Sequence, residues 1–446
     1  MTASGGYRSL TIRLPSDAAP DPLTFATATA FGPGAPGPGA ARDLATGAGR
    51  FHLVSTPSVT IAGRGAAATL PAGLGSCRRS APAIWLDGVE SAGGADCPVS
   101  APLAVGALPF AGAAEAELTV PWRTLVLTDG GAWLTAVAGP DSPLPRPDEL
   151  AAEIGGAEPA SSPTAPCRPG RPALQPVTPE AQYLDSVRQA LDAIAAGTVT
   201  KVVLARAVQA RFAHPVPVAA VVRRLRQLQP TCTVFAAGDV TTAFVGASPE
   251  LLVERHGELV VSHPLAGTTA LVGDAAVDDV ATRALLASAK DAAEHRWVVD
   301  QIASVLLAAG VDLQVPPGPS VLALHGVAHL GTRLQGRLHA PRDALALALA
   351  LHPTPAVAGT PTAAALRLLG RLERFDRGPY AGPVGWVEAG GDGAFVVGIR
   401  SAVLRGGEAT VFGGAGIVAG SDPEAELHET SVKLRTVLDA LGGDPG

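Results

Sequence analysis

Lys290-Asp-Ala-Ala-Glu-His295 and Asp422-Pro-Glu-Ala-Glu-Leu-His-Glu-Thr430 each set two acids three residues apart, Asp291 with Glu294 and Glu426 with Glu429. That spacing puts both carboxylates of a pair on one side of a helix. The first segment runs on through Val298, Ile302 and Val305, the second through Val437, so the acids lie close to a buried face. Four inward carboxylates repel one another unless a cation stands between them. Oxygen donors alone suit a hard ion, Mg²⁺, with an anionic substrate supplying further ligands. Each pair also has a plainer reading. Asp291 and Glu294 favour the positive end of a helix dipole, and Glu429 with Lys433 forms an i, i+4 pair on an exposed helix.

Upstream, Thr178-Pro-Glu180 starts a helix, with Thr as cap and Pro in the first position, that Gly197 ends. Lys201-Val-Val-Leu-Ala-Arg206 reads as a buried strand and Val218–Leu228 as a helix whose Arg223, Arg224 and Arg226 face solvent. Strands are expected at 234–237, 242–247, 251–254 and 259–262. Further strands are expected at 386–388, 395–403 and 409–412, and helices at 280–309, 343–351, 361–373 and 423–441. The first 135 residues read as β-rich, with strands at 10–14, 51–55, 58–61, 83–86 and 124–127 between Gly- and Pro-rich turns. From 139 to 176 proline is dense and periodicity vanishes, apart from a short helix at 148–154.

The chain of 446 residues carries a net charge of −7, which gives no global attraction for nucleic acid or an anionic membrane. No apolar run approaches the ~18 residues of a membrane span, and Met1–Asp17 lacks the apolar core of a signal peptide. Cys77, Cys97, Cys167 and Cys232 have no metal-ligand spacing and read as unpaired thiols. A cytoplasmic protein is expected. The rarity of lysine and methionine reflects a GC-rich genome more than structure.

Lys201 is either a lysine snorkelling at a strand edge or a base. As a base it must be neutral near pH 7, about three units below its usual ~10.4 and so roughly 4 kcal/mol away. Glu250, in Gly246-Ala-Ser-Pro-Glu250, is a turn acid, ordinarily solvated. Arg400 ends the apolar run Phe395-Val-Val-Gly-Ile-Arg400 and needs a buried anion or a route to water. Gly413-Gly-Ala-Gly416 could bring backbone N–H groups up to an anion.

Taken in order, these blocks resemble the chorismate-utilising enzymes, the family of anthranilate, aminodeoxychorismate, isochorismate and salicylate synthases. The resemblance is dense over 178–441. It rests on Lys201-Val-Val-Leu-Ala-Arg206, Ala247-Ser-Pro-Glu-Leu-Leu252, Pro264-Leu-Ala-Gly-Thr268 and Lys290-Asp-Ala-Ala-Glu-His295. His329-Leu-Gly-Thr332, Leu351-His-Pro-Thr-Pro-Ala-Val-Ala-Gly359, Phe375-Asp-Arg-Gly-Pro-Tyr-Ala-Gly-Pro-Val-Gly-Trp386 and the stretch 414–433 complete it.

The resemblance implies an α+β fold: two large, mostly antiparallel sheets packed as a sandwich and flanked by helices. Residues 1–175 and 176–441 would be parts of one compact unit. It implies Mg²⁺ held by Glu294 and Glu429, with Asp291 and Glu426 in support. Arg400 and Tyr380 would hold the pyruvyl carboxylate. Gly414, Ala415 and Gly416 with Lys433 would fix the substrate, Gly267 and Thr268 would approach the ring carboxylate, and His329 would line the pocket.

Within the family, Ala266 stands where a covalent mechanism needs lysine, and Lys201 marks members that use water. The implied activity is isochorismate synthesis: Lys201 deprotonates a water that attacks C2 of chorismate, and protonated Glu250 assists loss of the C4 hydroxyl. Salicylate synthase is the alternative, which Ala356 disfavours because such enzymes tend to carry Thr there. A catalytically silent chorismate-binding protein is the other alternative, disfavoured because base and acid are both present. Menaquinone and siderophore biosynthesis are the implied settings, with a monomer and possible hand-over to a downstream isochorismate-using enzyme.

Overall fold

The computed structural model describes residues 6–15, 18–27, 49–73, 79–99, 101–155, 170–239 and 241–442. Cys77 and Cys167, with residues 156–169 of the proline-rich connection, lie outside them. Cys97 and Cys232 are free thiols.

Among the described residues the strands form sheets of thirteen, nine and three. Alternating apolar residues dictate the larger two, and their inner faces meet: Val54, Ile61 and Val126 of the first pack with Leu103, Val105 and Trp386 of the second. Helices Val218–Leu228 and Pro423–Ala440 cover the outer face of the first sheet. Helices Ala289–Ala308 and Ala344–Leu351 cover the second. Pairing is antiparallel except where Arg8–Leu14 meets Glu90–Gly93. This is the expected α+β sandwich.

The chain passes between the large sheets at two adjacent corners. Strand Thr242–Ser248 belongs to the first sheet and Leu251–His256 to the second, with Pro249 and Glu250 between them. Gly393–Val397 of the second and Ser401–Arg405 of the first are joined through 398–400. Gly246 pairs with Ser401 and Leu251 with Val396, so the two corners lie side by side. Ala247 N–H donates to the Arg400 carbonyl and Val397 N–H to the Glu250 carbonyl. Sheets splaying at paired corners leave room between them, and that room is the site.

Several local expectations change. Residues 83–86 are helical, not extended, within Ala81–Leu86: Ser80 caps the helix by accepting from Ala83 N–H, and Pro82 preorganises its first turn. The strand expected over 395–403 is two strands, because Arg400 has φ +52°, a left-handed backbone that ends a strand. The helix expected over 280–309 is two, Ala275–Ala287 and Ala289–Ala308, broken where Ser288 turns extended and caps the second. Thr178 is not a helix cap; its backbone and hydroxyl bond Ala207, and helix Glu180–Ala195 begins without a side-chain cap. The strand expected over 409–412 runs on through Gly413–Gly416, inside the strand Glu408–Val418.

Candidate active site

Strands Lys201–Arg211 and Glu408–Val418 pair along their whole length, Lys201 opposite Val418 and Arg211 opposite Glu408. On its other side Glu408–Val418 pairs only as far as Val411. Among the described residues no strand neighbours that edge beyond Phe412, and alternate backbone groups turn into the cavity. Gly414 offers its carbonyl to Lys433 Nζ at 3.0 Å. Glycine at 416 permits a close approach: a Cβ there would stand 2.6 Å from Glu294 Oε1.

Every residue singled out from the sequence lines one cavity except Ala415. Ala415 is fully buried and follows the strand's alternation onto the opposite face. The strands contribute Lys201, Gly414 and Gly416, the sheet corners Glu250 and Arg400, and the small sheet Gly267, Thr268 and His329. Loops bring Ala356 and Tyr380, and two helices bring the four acids and Lys433.

The acids sit where helix-start chemistry puts them. Ser288 accepts from Asp291 N–H, and Asp422 accepts from Ala425 N–H with Pro423 at the first position. Glu426 shares its buried stripe with Thr430, Leu434 and Val437. Gly267, at φ +72°, brings the small sheet against Asp291. Burial, then Glu429, pushes the Glu426 carboxyl above its usual range; burial, then Glu294, does the same to Asp291. Burial raises Glu429 too, but Lys433, Arg400 and Lys290 outweigh it and hold that carboxyl low.

Among the described residues no three His, Cys, Asp or Glu side chains form a ready-made metal shell. The reason is local. Glu294 Oε1 is 2.8 Å from Lys201 Nζ, Glu429 Oε1 is 2.5 Å from Lys433 Nζ, and Glu426 Oε1 is 3.4 Å from Lys290 Nζ. The plainer i, i+4 pair of Glu429 and Lys433 therefore forms, but inside the cavity. The carboxylates still fit a hard cation: they are oxygen donors from two helix starts facing one space, and Glu294 and Glu429 raise the proton affinity of Asp291 and Glu426.

Lys201 and the corner residues are buried more deeply. Lys201 is 1% exposed, which rules out snorkelling, and Glu250 is 4% exposed, which rules out a solvated turn acid. Burial pushes the Glu250 carboxyl up to about 7, against the pull of Lys201, the Leu265 N–H, Lys433 and Arg400. Arg400 Nη2 lies 2.9 Å from His329 Nε2. Arginine only donates, so Nε2 accepts and the proton sits on Nδ1, which faces the Gly267 carbonyl and Thr268 Oγ1 at 3.2 Å each. Burial, then Arg400, keeps this imidazole neutral. Tyr380 stacks on Phe412 with centroids 5.0 Å apart, and burial raises its hydroxyl to about 12.

Sequence reasoning missed Arg377. It bonds Glu373 through two nitrogens (2.8 and 2.6 Å) and the carbonyls of Val357 and Val203 (2.8 and 2.7 Å). It thereby ties the loop bearing Ala356 to the strand bearing Lys201. Its signal was the i, i+4 Glu373–Arg377 spacing, which looks the same on any exposed helix end.

A family model described as chorismate binding enzyme matches residues 58–442. The chain belongs to that family. Among its relatives, isochorismate synthase DhbC of Bacillus subtilis is 42% identical over 61% of this chain and 70% of its own length. A putative isochorismate synthase MenF of Mycobacterium tuberculosis is 40% identical over 77% of this chain and 87% of its own. The solved menaquinone-specific isochorismate synthase MenF of Escherichia coli superposes with a TM-score of 0.79 at 28% identity, covering 98% of this chain and 95% of that one. The solved Escherichia coli enzyme shares the sandwich described above; in this chain Lys201 and Glu250 line one cavity.

Proposed function

We propose that this chorismate-binding enzyme is an isochorismate synthase. The observation that carries the reading is a lysine and a carboxylic acid buried together in one cavity, the acid with a proton affinity near neutrality. Glu250 is half-protonated near pH 7 and can donate a proton to the departing C4 oxygen of chorismate. Lys201 is the base that takes a proton from the water adding at C2. The ring double bonds shift between these events, and one water enters as one leaves.

Lys201 Nζ lies 2.8 Å from Glu294 Oε1. That pair must open before Lys201 can accept a proton. Arg400, aimed by His329, and Tyr380 receive the pyruvyl carboxylate. Lys433 and the free edge of Glu408–Val418 meet the ring side. Ala266 offers no amine for a covalent adduct.

Glu294 and Glu429 would hold Mg²⁺, with Asp291 and Glu426 supporting them. The bound ion would neutralise and orient the ring carboxylate. Among the described residues no helix is long and apolar enough to cross a membrane.

The test is to incubate the protein with chorismate and Mg²⁺ and measure products and released pyruvate together. Isochorismate without matching pyruvate, lost on adding EDTA, is expected. Salicylate with equimolar pyruvate would make the protein a salicylate synthase. No turnover at all would leave a silent chorismate-binding protein.

A further inference from the structure

Of the 33 lysine and arginine residues, only three are lysines: Lys201, Lys290 and Lys433. All three line the active cavity, each paired with a different carboxylate of the acid cluster. Everywhere else this chain places its basic charge on arginine. Lysine is kept where a compact, rotatable ammonium does what a planar guanidinium cannot. Lys201 and Lys433 already have roles in the reading above. Lys290 has none.

Its position is costly for an ordinary surface residue. It stands in the first turn of helix Ala289–Ala308, where the helix dipole disfavours a cation. Its side chain is 46% exposed, yet its ammonium reaches Glu426, whose own side chain is 6% exposed. The 3.4 Å separation is longer than the ~2.7–2.9 Å of a tight charge-assisted bond. The charge is also felt by Asp291 and Glu429. One half-solvated ammonium thus balances three buried or half-buried acids and grips none of them firmly.

We propose that Lys290 is a resident counter-cation, holding the acid cluster together until a divalent ion displaces it and thereby setting how tightly that ion binds. The inference rests on the Mg²⁺ reading given above. Because the pair is loose and half exposed, the ammonium can swing into water at small cost. Arginine at this position would clamp Glu426 through two parallel bonds and resist displacement. Lys290 is then a positioning residue, acting on the substrate only through the acids.

The experiment is calorimetric titration of Mg²⁺ into the substrate-free wild type, K290M and K290R. Removing the competing charge should tighten Mg²⁺ binding in K290M by on the order of ten-fold and lower its Tm in EDTA. K290R should bind Mg²⁺ more weakly than the wild type. A purely structural role would weaken binding in both variants. If the wild type binds no Mg²⁺, the metal reading itself falls and this inference with it. If the wild type binds Mg²⁺ and K290M binds no tighter, only this inference is overturned.

A second measurement needs no variant. The protein's only side-chain amines are these three lysines, so amine acetylation read by mass spectrometry follows each one separately. Faster labelling of Lys290 on addition of Mg²⁺ supports displacement. Labelling unchanged by Mg²⁺ but blocked by chorismate would make Lys290 a substrate ligand and overturn the proposal.

Discussion

Along the helix wall of the cavity, Asp291, Glu294, Glu426 and Glu429 stand at helix starts with ammonium groups close by, and Glu429 keeps 28% of its side chain exposed. Along the corner wall, Glu250, His329, Tyr380 and Arg400 are each at most 6% exposed. The first wall keeps its charge by pairing it. The second strips away water and so moves proton affinities: Glu250 up to about 7, Tyr380 up to about 12, His329 held neutral. A wall of paired charge suits holding an ion and an anionic ring, whereas a dry wall suits moving protons. The same cavity obtains both because two helices end at its mouth while two sheet corners form its floor.

Changing Glu250 is the most severe way to break this division. Glu250→Gln should lower kcat by about 10²–10⁴-fold while leaving Mg²⁺ affinity, measured by titration, unchanged. Loss of both together would mean that the walls are not separate. In the wild type kcat/KM should fall as pH rises through about 7, because the acid is then ionised.

Stability should follow with a definite sign. The folded-state affinity lies above a glutamate's ordinary 4.5, so the fold holds this proton more tightly than the unfolded chain does. Stability is full below that value and declines as pH rises through about 7, by roughly 3 kcal/mol in total. Glu250→Gln should therefore raise Tm at pH 8 and change it little at pH 4.5. A variant with unchanged Tm at both would show that Glu250 is not buried in the way described.

On the other wall, Glu429→Gln removes the acid whose charge is best supported, by Lys433, Arg400 and Lys290. Mg²⁺ affinity should drop by about 10–100-fold, with the Glu250-dependent limb of the pH profile left where it was. A shift of that limb would reveal that the walls share one electrostatic system.

How far these walls were legible in the sequence follows from what each depends on. The acid pairs could be read because helix spacing is local: three residues separate the carboxylates whatever the rest of the chain does. Strand Lys201–Arg211 could be read from its apolar run. The corners could not. The break at 398–400 depends on strands 393–397 and 401–405 joining different sheets, which alternation of residue types does not encode. The same holds for Gly413–Gly416, where the strand expected over 409–412 runs on as an open edge. Ala415 was grouped with its glycine neighbours although strand alternation sends it the other way. The helix at 81–86 was missed although its capping serine and proline were present, because Ile84-Trp-Leu86 is as apolar as any strand. Arg377 required knowing that the 353–358 loop and the strand at 203 converge.

The smallest effect expected, and the sharpest about the corner wall, comes from His329. Its imidazole does not titrate in the useful range, so it is no acid or base here. What it supplies is an acceptor lone pair at Nε2, 2.9 Å from Arg400 Nη2, with its tautomer set by the Gly267 carbonyl on the far side. Arg400 adopts a left-handed backbone at φ +52°, and this contact helps keep its guanidinium aimed into the cavity. His329→Ala should therefore raise KM for chorismate about ten-fold, the scale of one hydrogen bond to a charged group, with kcat changed by much less. His329→Asn, which can still offer an acceptor, should recover part of the loss. A fall in kcat with KM unchanged would instead make His329 a participant in the proton transfers, and the dry wall would then have two proton-transferring groups, Glu250 and His329, rather than one.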